Sequence, residues 1–571
     1  MTDVLRDESA ASEPHRRPQL TRAPQGAGLW GVLLLLPLAV VLVLQPLRTS
    51  RGPQWLGFNV DPAYAYLFNS LLLAEGMGAR HTDHPGTTVQ LIGAATLRVV
   101  HAVGGQGPLR EDVIADPERF LWWINAVLVG VFAATLLGCG LAVYRATASL
   151  PLALLVQLSP FLVMRSMISL LEVRPEPLLL SLSLLSGTVV LLAALGRETS
   201  RGTGAAVVMG VLAGVGLVTK VTSLPLLALP LAILTGVRRR LAFLASAALS
   251  FAVIALPATH DITGLFRFLK GIAGHTGRYG RGDPGFMTLG LFRSHLVRLV
   301  GGLARMEWLF LLLVVAGAVV VALSRWRPSR DETKRRVWRV LAAIVAAQVL
   351  GIIMVTKDPV MPHHYLVPVF GLSGVALCAM ALLLPSAPGR LGPKRVLLLV
   401  GAVTVVAAVF SCIQLTGYFT RRLRLSERQR AASQAALTAA RTVGCRLAYG
   451  PVTSSPVRAL IFGDGFAGET YRRDLAARFP DALVYNARRG EFRDALGKRV
   501  ATDTLLGSGT VCVVVAGIPS KTWADGLVGE AIDPDQQEVV YRLSRPAGSS
   551  SAAGSAEAGA PEPATRKAGK P

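Results

Sequence analysis

Charged residues are scarce in this sequence. Asp, Glu, Lys and Arg make up 16% of its 571 residues, while 52% are hydrophobic. A soluble domain normally carries about 25% charged residues. The apolar residues form runs of roughly 16–25, the length that crosses a hydrocarbon core of about 30 Å. The composition therefore argues against a soluble protein and indicates an integral membrane protein with many spans.

Acidic residues are scarcer than basic ones. The chain has 35 Asp and Glu against 59 Lys and Arg, and its formal net charge is +24. Nucleic-acid-binding proteins also show such an excess. Here, however, most basic residues stand in short clusters beside hydrophobic runs, as the positive-inside rule requires. We therefore expect contacts with membrane lipid or phosphate and no nucleic-acid partner.

Cysteines number only five and include no C-x-x-C pair, which argues against a zinc or redox site. Cys139, Cys378 and Cys412 fall inside apolar runs, where inert packing is expected. Cys445 and Cys512 both lie in the C-terminal region. If that region is extracytoplasmic, we expect a disulfide between them, and two buried thiols are the alternative.

The N-terminal region has no clear signal-peptide cleavage site. Arg16, Arg17 and Arg22 precede an apolar run over residues 28–47, and no small-residue cleavage site follows within signal-peptide length. We interpret this run as the first transmembrane helix, preceded by a disordered cytoplasmic N-terminus at residues 1–27.

Ten further spans are predicted if the short apolar stretch 89–103 lies on the membrane surface. They cover residues 120–143, 149–164, 176–195, 203–219, 222–237, 241–257, 305–324, 338–356, 362–385 and 396–418. The basic loops between them, such as residues 325–339, then lie in the cytoplasm, and the C-terminus lies outside. If 89–103 spans the membrane instead, all these loops move outside, so we favour the surface position.

The predicted fold is an all-α polytopic membrane protein with about eleven transmembrane helices and a small C-terminal α/β domain. The transmembrane domain covers residues 28–418, with a large first extracytoplasmic loop at 48–119. Over residues 425–545, expected to be extracytoplasmic, apolar runs shorten to strand length at 458–462, 482–485, 511–516 and 539–543. Residues 546–571 are rich in Ser, Ala, Gly and Pro and are expected to be disordered.

A glycine motif lies in the C-terminal region. Gly463, Gly465 and Gly468 match the G-x-G-x-x-G spacing of dinucleotide-binding loops. Nucleotide cofactors are scarce outside the cytoplasm, so a tight strand-to-helix turn is the favoured interpretation.

The first outer loop carries polar residues that suit catalysis. Asp61 precedes Pro62 at the start of a predicted amphipathic helix, and it is either a catalytic carboxylate or the N-cap of that helix. Asp83 and His84 are a second candidate, as a metal pair, a base with its partner or a polar turn before Pro85. Two ligands alone are a weak metal signal.

Charged residues at membrane depth form a second group. Glu172, Arg174 and Glu176 border an apolar region, where charge is costly unless it is paired or functional. The two acids are candidates for catalysis and the arginine for phosphate binding, and an ion pair at the interface is the alternative.

Basic residues near two other helix ends suit phosphate binding. On the chosen topology Lys220 violates the positive-inside rule, which a phosphate or carboxylate partner would explain; snorkelling to the interface is the alternative. His363, His364 and Tyr365 open a late helix and suit phosphate or metal binding, with local packing as the alternative.

In their order along the chain, these motifs resemble the GT-C superfamily of membrane glycosyltransferases, which includes protein O-mannosyltransferases, lipid A aminoarabinose transferases and oligosaccharyltransferases. The resemblance covers about residues 28–370. It rests on Asp61-Pro62, His84-Pro85-Gly86, Arg174-Pro175-Glu176, Val218-Thr219-Lys220 and His363-His364-Tyr365. The sequence departs from the commonest pattern because Pro62, rather than a second acid, follows Asp61.

The resemblance implies a function. Family members use sugars carried on a polyprenyl phosphate or pyrophosphate and act on the extracytoplasmic face of the cell (inner or plasma) membrane. It implies that Asp61 is the catalytic carboxylate and that Glu172 or Glu176 is a second acid. The donor phosphate is then held by Lys220, Arg174, His363, His364 and Tyr365.

Several features stay open after this comparison. They are the sugar, the acceptor (a glycan, a lipid or a protein) and the need for a divalent metal. The alternative functions are a non-enzymatic lipid or glycan transporter or flippase, and a cell-envelope assembly protein. Against transport, the candidate residues gather in outer-face loops rather than in the middle of helices.

Overall fold

A computed structural model describes residues 27–545 of the chain. It leaves out positions 84–85, 197–202, 281, 286, 327–328, 359, 361–362, 384–392, 451–452, 487–488, 508, 517–522, 524–526 and 533–537. His84, the N-terminus at 1–26 and the tail at 546–571, for which the sequence made predictions, therefore lie outside the described residues.

The described chain is helical as far as Thr442. Its first helices are α1 (Ala27–Ser50), α2 (Ala63–Ala74), α3 (Thr87–Gly104), α4 (Leu109–Ala115), α5 (Pro117–Thr147), α6 (Leu150–Gln157), α7 (Met164–Ser169), α8 (Glu176–Ala194) and α9 (Thr203–Thr219). They are followed by α10 (Val237–Ala255), α11 (Ile262–Gly274), α12 (Leu289–Met306), α13 (Trp308–Trp326), α14 (Glu332–Val355), α15 (Val367–Phe370), α16 (Ser373–Leu383) and α17 (Pro393–Thr442).

Several of these helices can cross a membrane. Among the described residues, six are long and apolar enough: α1, α5, α8, α10, α13 and α14. A seventh span results if His363–Phe370 and Ser373–Leu383, which meet at a bend of 41°, count as one. The protein is therefore a multi-pass membrane protein, as predicted, while the number eleven stays a prediction.

Proline explains where the structure departs from the predicted spans. The stretch 149–164 is divided into α6 and a 3-10 turn at Ser159–Leu162, which contains Pro160. The stretch 222–237 is divided into the 3-10 turns Val221–Ala228 and Pro230–Ala232, which contain Pro225 and Pro230. Proline has no N–H to donate and its ring clashes with the preceding turn, so neither stretch continues as one α-helix.

Helix α8 is the central helix of the membrane part. Within its most apolar window, 83% of the residues are buried, against 22% in α1 and 6% in α10. Helices α1 and α10 are thus largely exposed, as expected for helices that face lipid. Helix α8 begins at Glu176, so the first residue of the most enclosed helix is an acid.

The chain divides into two compact units. The first comprises Met1–Glu427 together with Ala459–Asp474, and the second comprises Arg428–Arg458 and Leu475–Pro571. Ala459–Asp474 falls within the domain predicted at residues 425–545, but in the structure it belongs to the first unit. That segment includes most of α18 (Pro456–Phe466) and the start of α19 (Arg472–Arg478).

The second unit contains a mixed sheet. Its strands are β1 (Arg446–Tyr449), β2 (Leu483–Asn486), β3 (Glu491–Asp494), β4 (Arg499–Val500), β5 (Val511–Ala516), β6 (Val528–Ala531) and β7 (Glu538–Ser544). Over the described residues their order is β4-β3-β2-β1-β5-β7-β6. Strand β1 is parallel to β2 and β5, and the other pairs are antiparallel. A disulfide joins Cys445 to Cys512, with Cα atoms 5.5 Å apart.

The glycine motif is not a strand-to-helix turn. The predicted strand at 458–462 lies inside helix α18, which also contains Gly463 and Gly465. Gly468, with φ +68°, follows that helix. A Cβ at position 463 would lie 2.6 Å from the ring of Phe68, so this glycine allows a close helix contact. The predicted strand at 458–462 and the strand-to-helix turn after it were both wrong, because a short apolar run does not distinguish a strand from a buried helix.

Candidate functional site

A chain of ion pairs links four parts of the first unit. Arg51 lies 3.0 Å from Glu172, and Glu172 lies 2.8 Å from Arg174. Glu176 lies 3.3 Å from Arg174 and 2.7 Å from Lys220. We call these five residues the ion-pair chain. Positive and negative groups alternate along it, and three cations against two acids leave a net charge of +1.

Local backbone structure positions each member of the chain. Arg51 follows α1, while Glu172 and Arg174 lie in the loop before α8. Glu176 is the first residue of α8, where the helix dipole favours a negative charge. Lys220 has extended backbone, φ −169° and ψ 137°, between α9 and the next 3-10 turn. The exposed fraction of its side chain is 7%, which excludes the snorkelling alternative.

The two acids of the ion-pair chain are each held between two cations. Burial raises the pKa of the Glu172 carboxyl, but the nearby Arg174 and Arg51 outweigh it and lower that pKa to about 2. Glu176 is 1% exposed and has the same arrangement with Lys220 and Arg174. A carboxylate between two cations is a poor proton acceptor. The geometry therefore favours the ion-pair alternative for both acids over direct proton transfer.

Further basic and aromatic groups lie beside Lys220. Its Nζ is 4.7 Å from the centre of the Tyr365 ring, and the ring of His364 is 4.6 Å from that of Tyr365. Arg165 interacts electrostatically with His363 and His364. The structure thus brings the predicted phosphate-binding residues together around the Lys220 end of the ion-pair chain.

Outside the ion-pair chain, two buried nitrogen atoms in this region have no hydrogen-bond partner among the described residues. They are Nε of Arg165 and Nδ1 of His363. The backbone N–H of Arg165 donates to Oε1 of the buried Glu307 at 3.0 Å, which fixes where this arginine leaves the chain. Buried polar groups are normally hydrogen-bonded, so these nitrogens are suited to an anionic ligand.

Asp61 differs from Glu172 and Glu176 because its side chain is exposed. The N-cap of α2 is Pro62, and no side chain caps this helix. The structure therefore does not support the capping alternative for Asp61. Its carboxylate interacts electrostatically with Arg174 and Lys220, and also with Tyr66. An accessible acid thus lies within electrostatic range of the buried cations.

Tyr66 of α2 lies among the acids of the site. Burial, reinforced by Glu176 and Asp61, raises its pKa well above the ordinary value, so the phenol stays protonated and can donate a hydrogen bond. Gly86 packs directly on it. With φ +69°, a Cβ at this position would lie 2.6 Å from both Cε1 and Oη of Tyr66, so only glycine fits.

The segment before Gly86 contains Asp83 and His81. Asp83 interacts with Tyr66 and His81, and burial lowers the pKa of the His81 imidazole although Asp83 and Asp61 oppose this. Within the described residues no group of three or more His, Cys, Asp or Glu side chains is arranged to hold a metal. His84, the other member of the predicted metal pair, lies outside them.

Sequence reasoning did not single out several of these residues. Arg51 and Arg165 lie in predicted outer loops, where basic residues are unexpected, so the signal that identified Lys220 applies to both. His81 had no such signal, because its contacts depend on the tertiary structure.

Comparisons with known proteins give a limited result. No protein-family model and no curated protein matches the chain. Two solved structures are similar, both of ArnT from Cupriavidus metallidurans. One, bound to undecaprenyl phosphate, is 14% identical with a TM-score of 0.47, and one in the apo state is 15% identical with a TM-score of 0.48. Each match covers 90% of this chain and 98% of the other.

Proposed function

We propose that this protein is a membrane glycosyltransferase that moves a sugar from a polyprenyl-phosphate donor to an extracytoplasmic acceptor. The observation that carries the proposal is the exposed carboxylate of Asp61 within electrostatic range of the buried cations Arg174 and Lys220. Transfer from a glycosyl phosphate needs two things, a base for the acceptor and positive charge for the leaving phosphate. This arrangement offers both.

The proposed reaction is a displacement at the anomeric carbon. The acceptor oxygen forms a bond to that carbon, and its proton moves to the carboxylate of Asp61. The bond between the anomeric carbon and the phosphate oxygen breaks, and the polyprenyl phosphate leaves with the electron pair. No oxidant or reductant takes part.

The leaving phosphate gains a second negative charge during this step. The ion-pair chain has a net charge of +1, and Arg165 adds another cation nearby. Preorganised charges of this kind stabilise a developing anion without reorganising during the reaction. Glu172 and Glu176 act as positioning residues in this mechanism, because they hold the cations at membrane depth in the absence of donor.

The location of the reaction is also part of the proposal. The distribution of basic loops supports an active site on the extracytoplasmic face of the inner or plasma membrane, with residues 425–545 on the same side. The Cys445–Cys512 disulfide supports an oxidising compartment for that region. Reporter fusions after residue 425 and within 325–339 test this, and a cytoplasmic signal from the first would contradict it.

The activity itself is tested with purified protein in lipid nanodiscs. We expect release of free polyprenyl phosphate from one of a panel of labelled polyprenyl-phosphate sugars when an envelope extract supplies acceptors. A transporter or flippase would instead move the intact donor across a vesicle membrane without releasing phosphate. That outcome would contradict the proposal and support the alternative.

A further inference from the structure

Asn69 is a buried polar residue that the proposed reaction does not use. It lies in the middle of α2, and its exposed fraction is 0%. All four hydrogen-bonding positions of its amide are filled. Nδ2 donates to the carbonyls of Ala65 at 2.9 Å and Phe466 at 3.1 Å. Oδ1 accepts from the backbone N–H groups of Arg80 at 2.8 Å and His81 at 2.9 Å.

The acceptor side of this amide fixes the segment that leads to Asp83. Two successive backbone N–H groups point at one oxygen, and Nε2 of Gln90 donates to the carbonyl of His81 at 2.8 Å. The ring of His81, whose backbone is held in this way, lies 6.1 Å from the ring of Tyr66. Asp83, two residues farther along the chain, interacts electrostatically with Tyr66. Tyr66 lies three residues before Asn69 on the same helix. The Asn69 amide therefore connects the helix that carries Tyr66 to the loop segment that leads to Asp83.

The donor side reaches a distant part of the chain. Phe466 belongs to Ala459–Asp474, which is part of the first unit. Its ring lies 4.8 Å from that of His81. Farther along α2, the hydroxyl of Tyr471 donates to Glu75 at 2.8 Å. The segment thus contacts α2 and the residues after it at several points.

We propose that Asn69 is a positioning residue, which holds the backbone of residues 80–81 against α2 and so sets Asp83 and His81 relative to Tyr66 and Asp61. This inference rests on the proposed function, because its kinetic consequence is measured with the transfer reaction. Asn69 touches no reacting group. It acts through the first loop, and Phe466 fixes its orientation.

Asn69→Leu tests the proposal, because leucine keeps the size and removes all four hydrogen bonds. Misplacement of a reacting group by about 1 Å can cost on the order of a hundredfold in rate. We therefore expect kcat per folded molecule to fall by about tenfold to a hundredfold. The KM for the donor should stay within about threefold, since the cations are untouched.

Gln157→Leu is the matched control. Gln157 is also 0% exposed, and its amide donates to the carbonyls of Leu33 and Leu136, which belong to α1 and α5 and not to the site. This variant should lose stability while its folded fraction keeps the kcat of the native protein. Equal kcat for the two variants would overturn the proposal.

Hydrogen exchange gives a measurement that does not depend on activity. In Asn69→Leu the amides of Arg80 and His81 should exchange faster, and in Gln157→Leu they should not. Unchanged protection would overturn the proposal even if no sugar donor is found. A native protein that transfers no sugar would contradict the proposed function alone.

Asn69→Asp covers the case in which the leucine variant does not fold. It keeps an oxygen acceptor for Arg80 and His81 but lacks the amide donor to Phe466. We expect protection at residues 80–81 to persist and kcat to lie between those of the native protein and Asn69→Leu. If Asn69→Asp loses hydrogen-exchange protection at residues 80–81 but keeps the native kcat, the hydrogen bonds from residue 69 to this backbone do not position the site.

Discussion

Lys220 and Glu176 form a buried ion pair, with Nζ 2.7 Å from Oε1, although they lie 44 positions apart. Glu176 begins the central helix, and Lys220 follows another helix in extended backbone. The hydrogen bond to Glu176 uses one of the three N–H donors of the Lys220 ammonium. The ammonium also lies over the Tyr365 ring. The pair therefore fixes a cation at membrane depth while leaving it able to bind an anion.

The first prediction concerns the acid of the proposed reaction. Asp61→Asn should lower turnover by about a hundredfold or more, because an amide cannot accept the proton of the acceptor. Asp116→Asn is the control, since Asp116 is also exposed in the first loop and precedes a proline, but it caps α5. Near-normal turnover of inserted Asp61→Asn protein would rule out the catalytic role.

The second prediction concerns the buried pair. Glu176→Gln should destabilise the protein by about 3–5 kcal/mol, because it leaves the buried Lys220 without its carboxylate. Lys220→Met should cost less, because Glu176 keeps its ion pair with Arg174. The double variant should lose less stability than the sum of the two losses, because neither charge then remains. Thermal unfolding in detergent measures this, and additive losses would show that the two groups are not coupled.

The same variants separate stability from donor binding. Lys220→Met should raise the KM for the donor in the single and in the double variant, because both lack the ammonium. A double variant with the native KM for the donor would show that Lys220 only balances the charge of Glu176 and does not bind the donor.

The third prediction is a pH dependence caused by Glu172. Its pKa is lowered from 4.5 to about 2 in the folded protein. The folded state therefore gains stability from the ionised carboxylate above pH 4.5, and it loses this gain as the pH falls toward 2. The gain is worth up to about 3 kcal/mol. The stability difference between native protein and Glu172→Gln should be largest near neutral pH and should narrow below pH 4. A constant difference would contradict the ion-pair assignment.

The fourth prediction concerns the contact between Gly86 and Tyr66. Gly86→Ala should reduce both stability and turnover, because its Cβ would overlap the Tyr66 ring. Gly76→Ala is the control, since Gly76 also has positive φ, +81°, but has open space around it. The control should lose only about 1–2 kcal/mol of stability, which is the cost of an alanine at positive φ. Equal effects on turnover would show that the position of Tyr66 does not matter for the reaction.

The fifth prediction concerns the second unit. Mass spectrometry of unreduced protein should find a peptide cross-linked through Cys445 and Cys512. The bond closes a loop of 67 positions, which the chain-entropy model values at about 4 kcal/mol. Replacing both cysteines with serine should destabilise this unit, whereas Cys412→Ser, at a free and exposed cysteine, should not. Two free thiols at 445 and 512 would exclude the bond.

The sequence predicted the helices well where apolar composition alone decides. The run 203–219 coincides with α9, and 176–195 differs from α8 by one residue. It failed where backbone chemistry intervenes, as at Pro160, Pro225 and Pro230. It also failed at 458–462, where five apolar-rich residues fit a strand or a helix equally well.

For the site, the sequence identified most residues but not their pairing. Uncompensated charge in an apolar context singled out Glu172, Arg174, Glu176 and Lys220. That signal does not reveal that Glu172 pairs with Arg51, which lies 121 positions away. The sequence also did not single out Asn69, because the role of one amide in an apolar helix depends on the carbonyls and N–H groups that the tertiary structure places around it.

The bond between Asn69 and Phe466 has a consequence for biosynthesis, since the two residues are 397 positions apart. At about 5–20 residues per second, a ribosome needs on the order of 20–80 s to make the intervening chain. All the membrane helices between Asn69 and Phe466 are thus synthesised before the first loop gains this hydrogen bond. The acids and cations of the first loop are therefore synthesised early, but residues 80–81 cannot take their final position until Phe466 has been made.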